Sequence, residues 1–110
     1  MLHKLKGYRA ERKAKLLLMK YGWKVVRAGG SLGEYDLIAF REGKCVFYQV
    51  KSTQKNRLYY YGYSQPEYAG FPFRLLVDFG RGVLRVLEPK RTVDKTDGEA
   101  FEEYLAKNNS

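Results

Sequence analysis

The sequence is poor in the residues that build stapled or metal-clustered folds: its 110 residues hold one cysteine, one histidine and three prolines. Cys45 alone cannot form an intramolecular disulfide, a thiolate zinc cluster or a redox pair, which points to an intracellular protein. Long apolar runs are missing too. No stretch of roughly 18 apolar residues is present to span a bilayer, and the start, Met1-Leu2-His3-Lys4-Leu5-Lys6, lacks the apolar segment of an export signal. The expectation is a cytoplasmic location, or the host cytoplasm for a viral protein, with no membrane partner. His3, near a terminus, is expected to be solvated and is given no role. Nothing repeats, and only the polar end, 107–110, reads as a disordered tail of an otherwise single domain over 1–110.

Acids are the other shortage. Twelve Asp and Glu face 21 Lys and Arg, a net charge of +9, and Glu11 is the sole acid among the first 33 residues. With 45% hydrophobic and 30% charged residues the chain has the profile of a folded domain. Its positive excess favours a polyanionic partner, nucleic acid first. The ten tyrosines are too scattered for a membrane-surface helix.

Ala10, Ala14, Leu17, Leu18 and Tyr21 recur at helical spacing and predict an amphipathic helix over about 6–21, stopped by Gly22. The opposite side carries Lys6, Arg9, Lys13 and Lys20, flanked by Arg12 and Lys15. Such a face is either solvated or polyanion-binding. Glu11 sits at the rim of the apolar stripe, within reach of Lys15 at i+4. Residues 23–28 alternate weakly and predict a first strand, followed by the loop Gly29-Gly30-Ser31-Leu32-Gly33. Neither a Walker pattern nor a dinucleotide fingerprint makes that loop a nucleotide cradle. It is a plain inter-strand turn, or it borders a site and offers Ser31 to substrate.

Further on, the polar basic stretch 52–57 leads into Leu58-Tyr59-Tyr60-Tyr61-Gly62-Tyr63, whose tyrosines can stack on bases, line a dimer interface or enter the core, though not all of them the last. Ser64-Gln65-Pro66-Glu67 predicts the start of a very short helix with Pro in its first turn. Residues 73–79 and 83–88 predict two strands joined by Gly80-Arg81-Gly82, and about 100–106 a final short helix. The sum is an α+β fold: a central mixed β-sheet of about five strands flanked by helices, the long one against one face.

The stretch with chemistry in it is 34–51. Leu37-Ile38-Ala39-Phe40 and Cys45-Val46-Phe47-Tyr48 flank Arg41-Glu42-Gly43-Lys44, a hairpin in which residue i faces a partner near 85 minus i. Cys45, inside an apolar strand, is read as core packing. Asp36 then lies about opposite Gln49, and Gln49 and Lys51, two apart, leave the same face of the sheet. An acid, an amide and an ammonium meet at one edge. Phosphodiester hydrolysis needs charge stabilisation at the phosphoryl oxygens and an activated water. Asp36 would anchor Mg²⁺, a hard ion that takes oxygen ligands. Gln49 and Val50 would add a side-chain and a backbone carbonyl, Lys51 would orient the water or stabilise charge, and Glu11 would reach over from the helix. By spacing alone, a salt bridge between Asp36 and Lys51 on an ordinary sheet accounts for the pair as well.

The pattern Glu11, Asp36, Gln49-Val50-Lys51 resembles the PD-(D/E)xK nuclease superfamily. With Gly7-Tyr8-Arg9-Ala10-Glu11-Arg12, the run from Trp23 to Ser31, Asp36-Leu37-Ile38-Ala39 and Val50-Lys51-Ser52-Thr53, it looks like the archaeal-type Holliday junction resolvases over about 6–55. That resemblance implies a restriction-endonuclease-like core and a homodimer that binds four-way DNA junctions. It also implies paired symmetric nicks made with Mg²⁺, for which Mn²⁺ substitutes. It assigns catalytic or metal roles to Glu11, Asp36, Gln49, Val50 and Lys51, a catalytic contribution to Ser31, and DNA contacts to Arg12 and Arg27. The basic residues Lys4, Lys6, Arg9, Lys55 and Arg57, and Ser31, complete the expected DNA-binding set. The chain departs from the family pattern at Tyr35, where Pro is usual, and at Gln49, which stands for a second acid. The alternatives are a nuclease of the same fold acting on other branched or duplex DNA, and a non-catalytic basic nucleic-acid-binding module.

Overall fold

The computed structural model of the chain describes residues 2–28 and 33–107, with side chains from Tyr8 onward. Helix α1 (Leu2–Lys20) is followed by β1 (Lys24–Arg27), β2 (Leu37–Arg41), β3 (Lys44–Ser52) and β4 (Arg57–Tyr59). Next come β5 (Glu67–Tyr68), β6 (Phe71–Asp78), β7 (Leu84–Leu87), β8 (Thr92–Asp94), β9 (Glu99–Ala100) and α2 (Phe101–Lys107). Gly22, with φ of 88°, ends α1 as expected. The Trp23 N–H returns to the Leu18 carbonyl at 3.0 Å and the Gly22 N–H to that of Met19 at 3.0 Å, the paired bonds of a Schellman cap.

Among the described residues seven strands form one sheet, ordered β1-β2-β3-β6-β7-β9 with β5 beside β6. It is mixed, as the sequence predicts: β3 and β6 run parallel and the other pairs antiparallel. Alternation divides the apolar residues between two faces. Val46, Tyr48, Val50 and Leu76 meet Ala10, Ala14 and Leu18 of α1 and Phe101 and Leu105 of α2, so both helices cover the same face. Leu75, Val77 and Leu87 point the other way and are covered by Val93 of a separate two-stranded sheet, β4 with β8, and by Tyr60 just after β4. A fully buried leucine such as Leu18 or Leu76 stabilises the fold by about 1.5–3 kcal/mol through transfer from water.

Several expectations are corrected. No helix starts at Ser64. The Pro66 carbonyl, which a helix would offer to the amide four residues on, accepts the Phe73 N–H at 2.8 Å and an Arg74 guanidinium N–H at 2.9 Å. Glu67 and Tyr68 pair instead with Pro72 and Phe71 across an Ala69-Gly70 turn, both residues at positive φ. Of the tyrosine run, Tyr60 is core while Tyr59 and Tyr61 are exposed. Cys45 is half-buried, because Val46 and not Cys45 shares the parity of the core. Lys107, read from sequence as tail, closes α2 and pairs with Glu99 at 2.7 Å; 108–110 lie outside the described residues.

Candidate active site

The hairpin register follows the 85 sum from Leu37↔Tyr48 to Arg41↔Lys44. Asp36 breaks it. Its N–H goes to the Tyr48 carbonyl at 2.7 Å, one residue out of step, and its carboxylate oxygen Oδ2 accepts the backbone N–H of Val50 at 2.8 Å. The acid thus stands where a backbone carbonyl of β2 would otherwise continue the ladder, a local irregularity of the kind sheets use to re-aim a side chain. The same Oδ2 accepts the Gln49 side-chain N–H at 2.6 Å. Gln49 therefore meets Asp36 through its nitrogen, and its carbonyl oxygen accepts no hydrogen bond among the described residues. Among those residues no cation pairs with Asp36, so its negative charge is solvated by neutral donors only.

Lys51 lies two residues on, exposed, on the face that Gln49 shares. No ion pair joins it to Asp36 among the described residues, so the plain salt-bridge reading of the two is not realised. Glu11, on α1, turns to Arg27 of β1 at 3.2 Å and not to Lys15. The Glu11 carboxyl has its pKa raised, first by burial and then by the charge of Asp36, against the opposing effect of Arg27. The two acids thus share one electrostatic neighbourhood although α1 and β2 are separate elements. Arg27 also stacks on the Tyr8 ring at 5.3 Å, so its guanidinium bridges the helix and the edge strand.

The expected DNA-binding residues scatter. Arg9 and Arg12 are exposed on α1, and Lys55 is exposed in the loop after β3. Arg57 is drawn away to the small sheet, where it pairs with Asp94 at 2.8 Å. Ser31 and the side chains of Lys4 and Lys6 lie outside the described residues. One neighbour that spacing did not reveal is Tyr60. Its phenol is pushed up to about 12 by burial and then by the charge of Asp36. Tyr60 directly follows β4, its N–H on the Arg91 carbonyl at 2.7 Å and its hydroxyl on that of Tyr63 at 2.7 Å, and no local pattern links it to Asp36.

Among the described residues no three of His, Cys, Asp and Glu converge as a metal cluster. With Gln49 in place of a second acid, the donor set is one carboxylate fixed by two N–H groups, a second close enough to repel it, and an amide carbonyl. Repulsion between two carboxylates is relieved by a hard cation, and oxygen donors of this kind suit Mg²⁺ or Mn²⁺. The residues present fit such an ion.

Comparisons with known proteins bear on the family and the fold. Residues 2–64 match the archaeal Holliday junction resolvase (hjc) family. A Methanocaldococcus jannaschii protein named crossover junction endodeoxyribonuclease Hjc is 43% identical over 60 residues, 54% of this chain and 44% of that protein. The matched part thus spans less than half of that relative's length. Among solved structures, Archaeoglobus fulgidus Hjc, a Holliday junction resolvase from an archaeal hyperthermophile, superposes with a TM-score of 0.69 at 19% identity, over 92% of this chain and 96% of that one. A bacterial homing endonuclease superposes at 0.63 and 21% identity, over 94% and 91%. Both are alike in fold. The family match covers α1, the β1–β3 hairpins and every described side chain of the constellation at Asp36, and so the chain belongs to the archaeal Holliday junction resolvase (hjc) family.

Proposed function

We propose that this chain is a metal-dependent endonuclease that resolves four-way DNA junctions by paired symmetric nicks, acting as a homodimer. The observation that carries the reading is the posture of Asp36: an acid fixed by Gln49 and Val50 at a sheet edge, beside Glu11 and unpaired with any described cation, in a chain of this family. Glu11, Asp36, the Gln49 side-chain oxygen and the Val50 carbonyl are the groups that would hold Mg²⁺ or Mn²⁺. Such an ion supplies charge neutralisation at the phosphoryl oxygens and a more acidic water.

The protein's own groups do the rest. The Val50 and Gln49 N–H groups hold one oxygen of Asp36 still, so its carboxylate needs little reorganisation when charge develops. The Lys51 ammonium, exposed on the next outward position of β3, stabilises negative charge on the phosphate or orients the attacking water through its N–H donors. Arg27, paired with Glu11 at 3.2 Å and half-exposed, would be the neighbouring cation available to backbone phosphate. A second copy related by a two-fold axis would place an identical site on the opposing strand, which paired nicking requires. No described helix is long and apolar enough to cross a membrane, and no membrane partner is proposed.

The test is cleavage of a labelled synthetic four-way junction beside a linear duplex of the same sequences, with Mg²⁺ and with EDTA. Paired symmetric nicks in the junction only, abolished by EDTA, are the expected result. Cutting of both substrates leaves a nuclease without junction selectivity, and tight binding with no cutting in Mg²⁺ or Mn²⁺ leaves a binding module.

A further inference from the structure

Beyond the Asp36 edge, the other side of β3 holds a second polar feature with no assigned role. The parallel strands β3 and β6 end side by side, Ser52 opposite Asp78, and the Thr53 N–H extends the ladder to the Asp78 carbonyl at 2.9 Å. Ligands of sheets with parallel strands collect beyond the strands' carboxyl ends. Here α1 crosses that end and leaves a cleft of about 210 Å³, lined by Arg9 and Lys13 of the helix and by Ser52, Thr53, Gln54 and Asp78 of the strand ends.

Asp78 is the one buried charged residue among those described. Its carboxylate accepts the Gly80 N–H at 2.8 Å and the Lys13 ammonium at 3.0 Å, so its charge is cancelled inside the wall of the cleft. Lys13 is half-exposed, and an ammonium has three N–H donors, of which Asp78 takes one. Thr53 is set similarly. Its hydroxyl oxygen accepts the Lys55 N–H at 3.1 Å, which leaves the hydroxyl hydrogen to donate elsewhere. Ser52 and Gln54 add polar groups that make no hydrogen bond through their side chains among the described residues. The cleft therefore offers two cations, a directed hydroxyl and one internally neutralised acid, which is the chemistry of a singly charged oxyanion seat.

We propose that this cleft seats one DNA backbone phosphodiester, bound by Lys13 and Thr53 with Arg9 beside them, and that Asp78 is the positioning residue that holds Lys13 in place. The inference rests on the DNA-cutting reading above and extends it. Thr53 follows Lys51 by two residues of extended chain, roughly 7 Å, so the seated phosphate belongs to the strand being cut, one or two nucleotides from the scissile position. Lys13 and Glu11 flank the buried stripe of α1 on opposite sides. The helix thus presents its acid toward Arg27 and Asp36 and its lysine toward Asp78.

The experiment is equilibrium binding of a labelled four-way junction in EDTA over a series of salt concentrations, with wild type, Lys13→Gln, Thr53→Val and Asp78→Asn. Lys13→Gln is expected to lower the slope of log K against log salt by about 0.9, one phosphate's worth, equivalent to about 3.5-fold in affinity change between 50 and 200 mM salt. Asp78→Asn is expected to lower the slope in the same direction, since a loosened lysine no longer holds the phosphate. Thr53→Val is expected to weaken binding about five- to tenfold with the slope unchanged, because a neutral donor is lost. A neutral methylphosphonate linkage next to the cut position is expected to weaken wild type as much as Lys13→Gln does, with no further loss in that variant. Unchanged slope and affinity in Lys13→Gln and Thr53→Val would overturn the seat. A lower melting temperature in Asp78→Asn with an unchanged slope would overturn its positioning role. Wild type that binds no junction would overturn both this seat and the DNA reading it rests on, which separates the two failures.

Discussion

Two aspartates stand on either side of the carboxyl end of β3, and they are used in opposite ways. Asp36, between β2 and β3, accepts N–H groups from Gln49 and Val50, with no cation beside it among the described residues. Asp78, between β3 and β6, accepts an N–H from Gly80 and is paired with the ammonium of Lys13. Both are fixed by backbone amides at a strand end, so geometry alone does not separate them. The difference lies in the second donor. A neutral amide holds a carboxylate without pairing its charge, whereas a lysine pairs it and turns the acid into structure.

The largest effect that would test this division is on cleavage. Asp36→Asn is expected to reduce junction cutting by about 10²–10³-fold or more while binding in EDTA survives. An equal loss of cutting in Asp78→Asn, with DNA saturating, would erase the distinction. On stability the order reverses: Asp78→Ala is expected to cost about 1–3 kcal/mol in urea unfolding, because the Gly80 N–H loses its acceptor, while half-exposed Lys13 can return to water. Asp36→Asn, which keeps an oxygen for Val50, is expected to cost less than Asp78→Ala.

Gln49→Glu sharpens the comparison from the other side. It restores a second acid, removes the amide donor to Asp36 and is expected to raise Mn²⁺ affinity by about tenfold in calorimetric titration while lowering metal-free stability. Unchanged affinity would mean that position 49 does not face the ion.

The smallest effect is spectroscopic. Burial chiefly, and then the charge of Asp36, raises the Tyr60 phenol to about 12, so Tyr60 reports whether that charge is present. Asp36→Asn is expected to lower the Tyr60 titration midpoint followed by tyrosinate absorbance, and Asp78→Asn to leave it alone. The same shift sets the sign of an alkaline stability loss. An unfolded tyrosine ionises near pH ~10 and Tyr60 near 12, so its contribution is complete below the first value and lost as pH rises through the second. Tyr60→Phe is expected to flatten that decline at a cost of about 1 kcal/mol for its bond to the Tyr63 carbonyl.

Much of the Asp36 edge was legible in the chain, because it is local. A tight turn at 41–44 sets the register of β2 on β3, and strand parity then puts Gln49 and Lys51 on one side opposite Asp36. The stop at Gly22 is local as well, since a positive φ at that position suits glycine. The Asp78 edge was not legible. Its members are Lys13 and Asp78, 65 residues apart, and they meet only because β3 and β6 pair in parallel beneath α1. The helix that Ser64–Glu67 predicts is absent for a related reason: Pro66 favours a helix start, but Phe73 and Arg74 of β6 claim its carbonyl.

Composition, helical periodicity and hairpin parity by themselves determined the class of fold, the basic character, the placing of Gln49 beside Asp36 and the face that Lys51 shares with Gln49. Each of these follows from residues within a turn or a hairpin of one another, where the chain has few alternatives. Tertiary structure alone decided that Glu11 takes Arg27, that Tyr60 lies near Asp36, that both helices share a face and that Asp78 holds Lys13. Those contacts join segments whose separation in sequence carries no periodic signal, and they exist only after burial of the two apolar faces has brought the segments together.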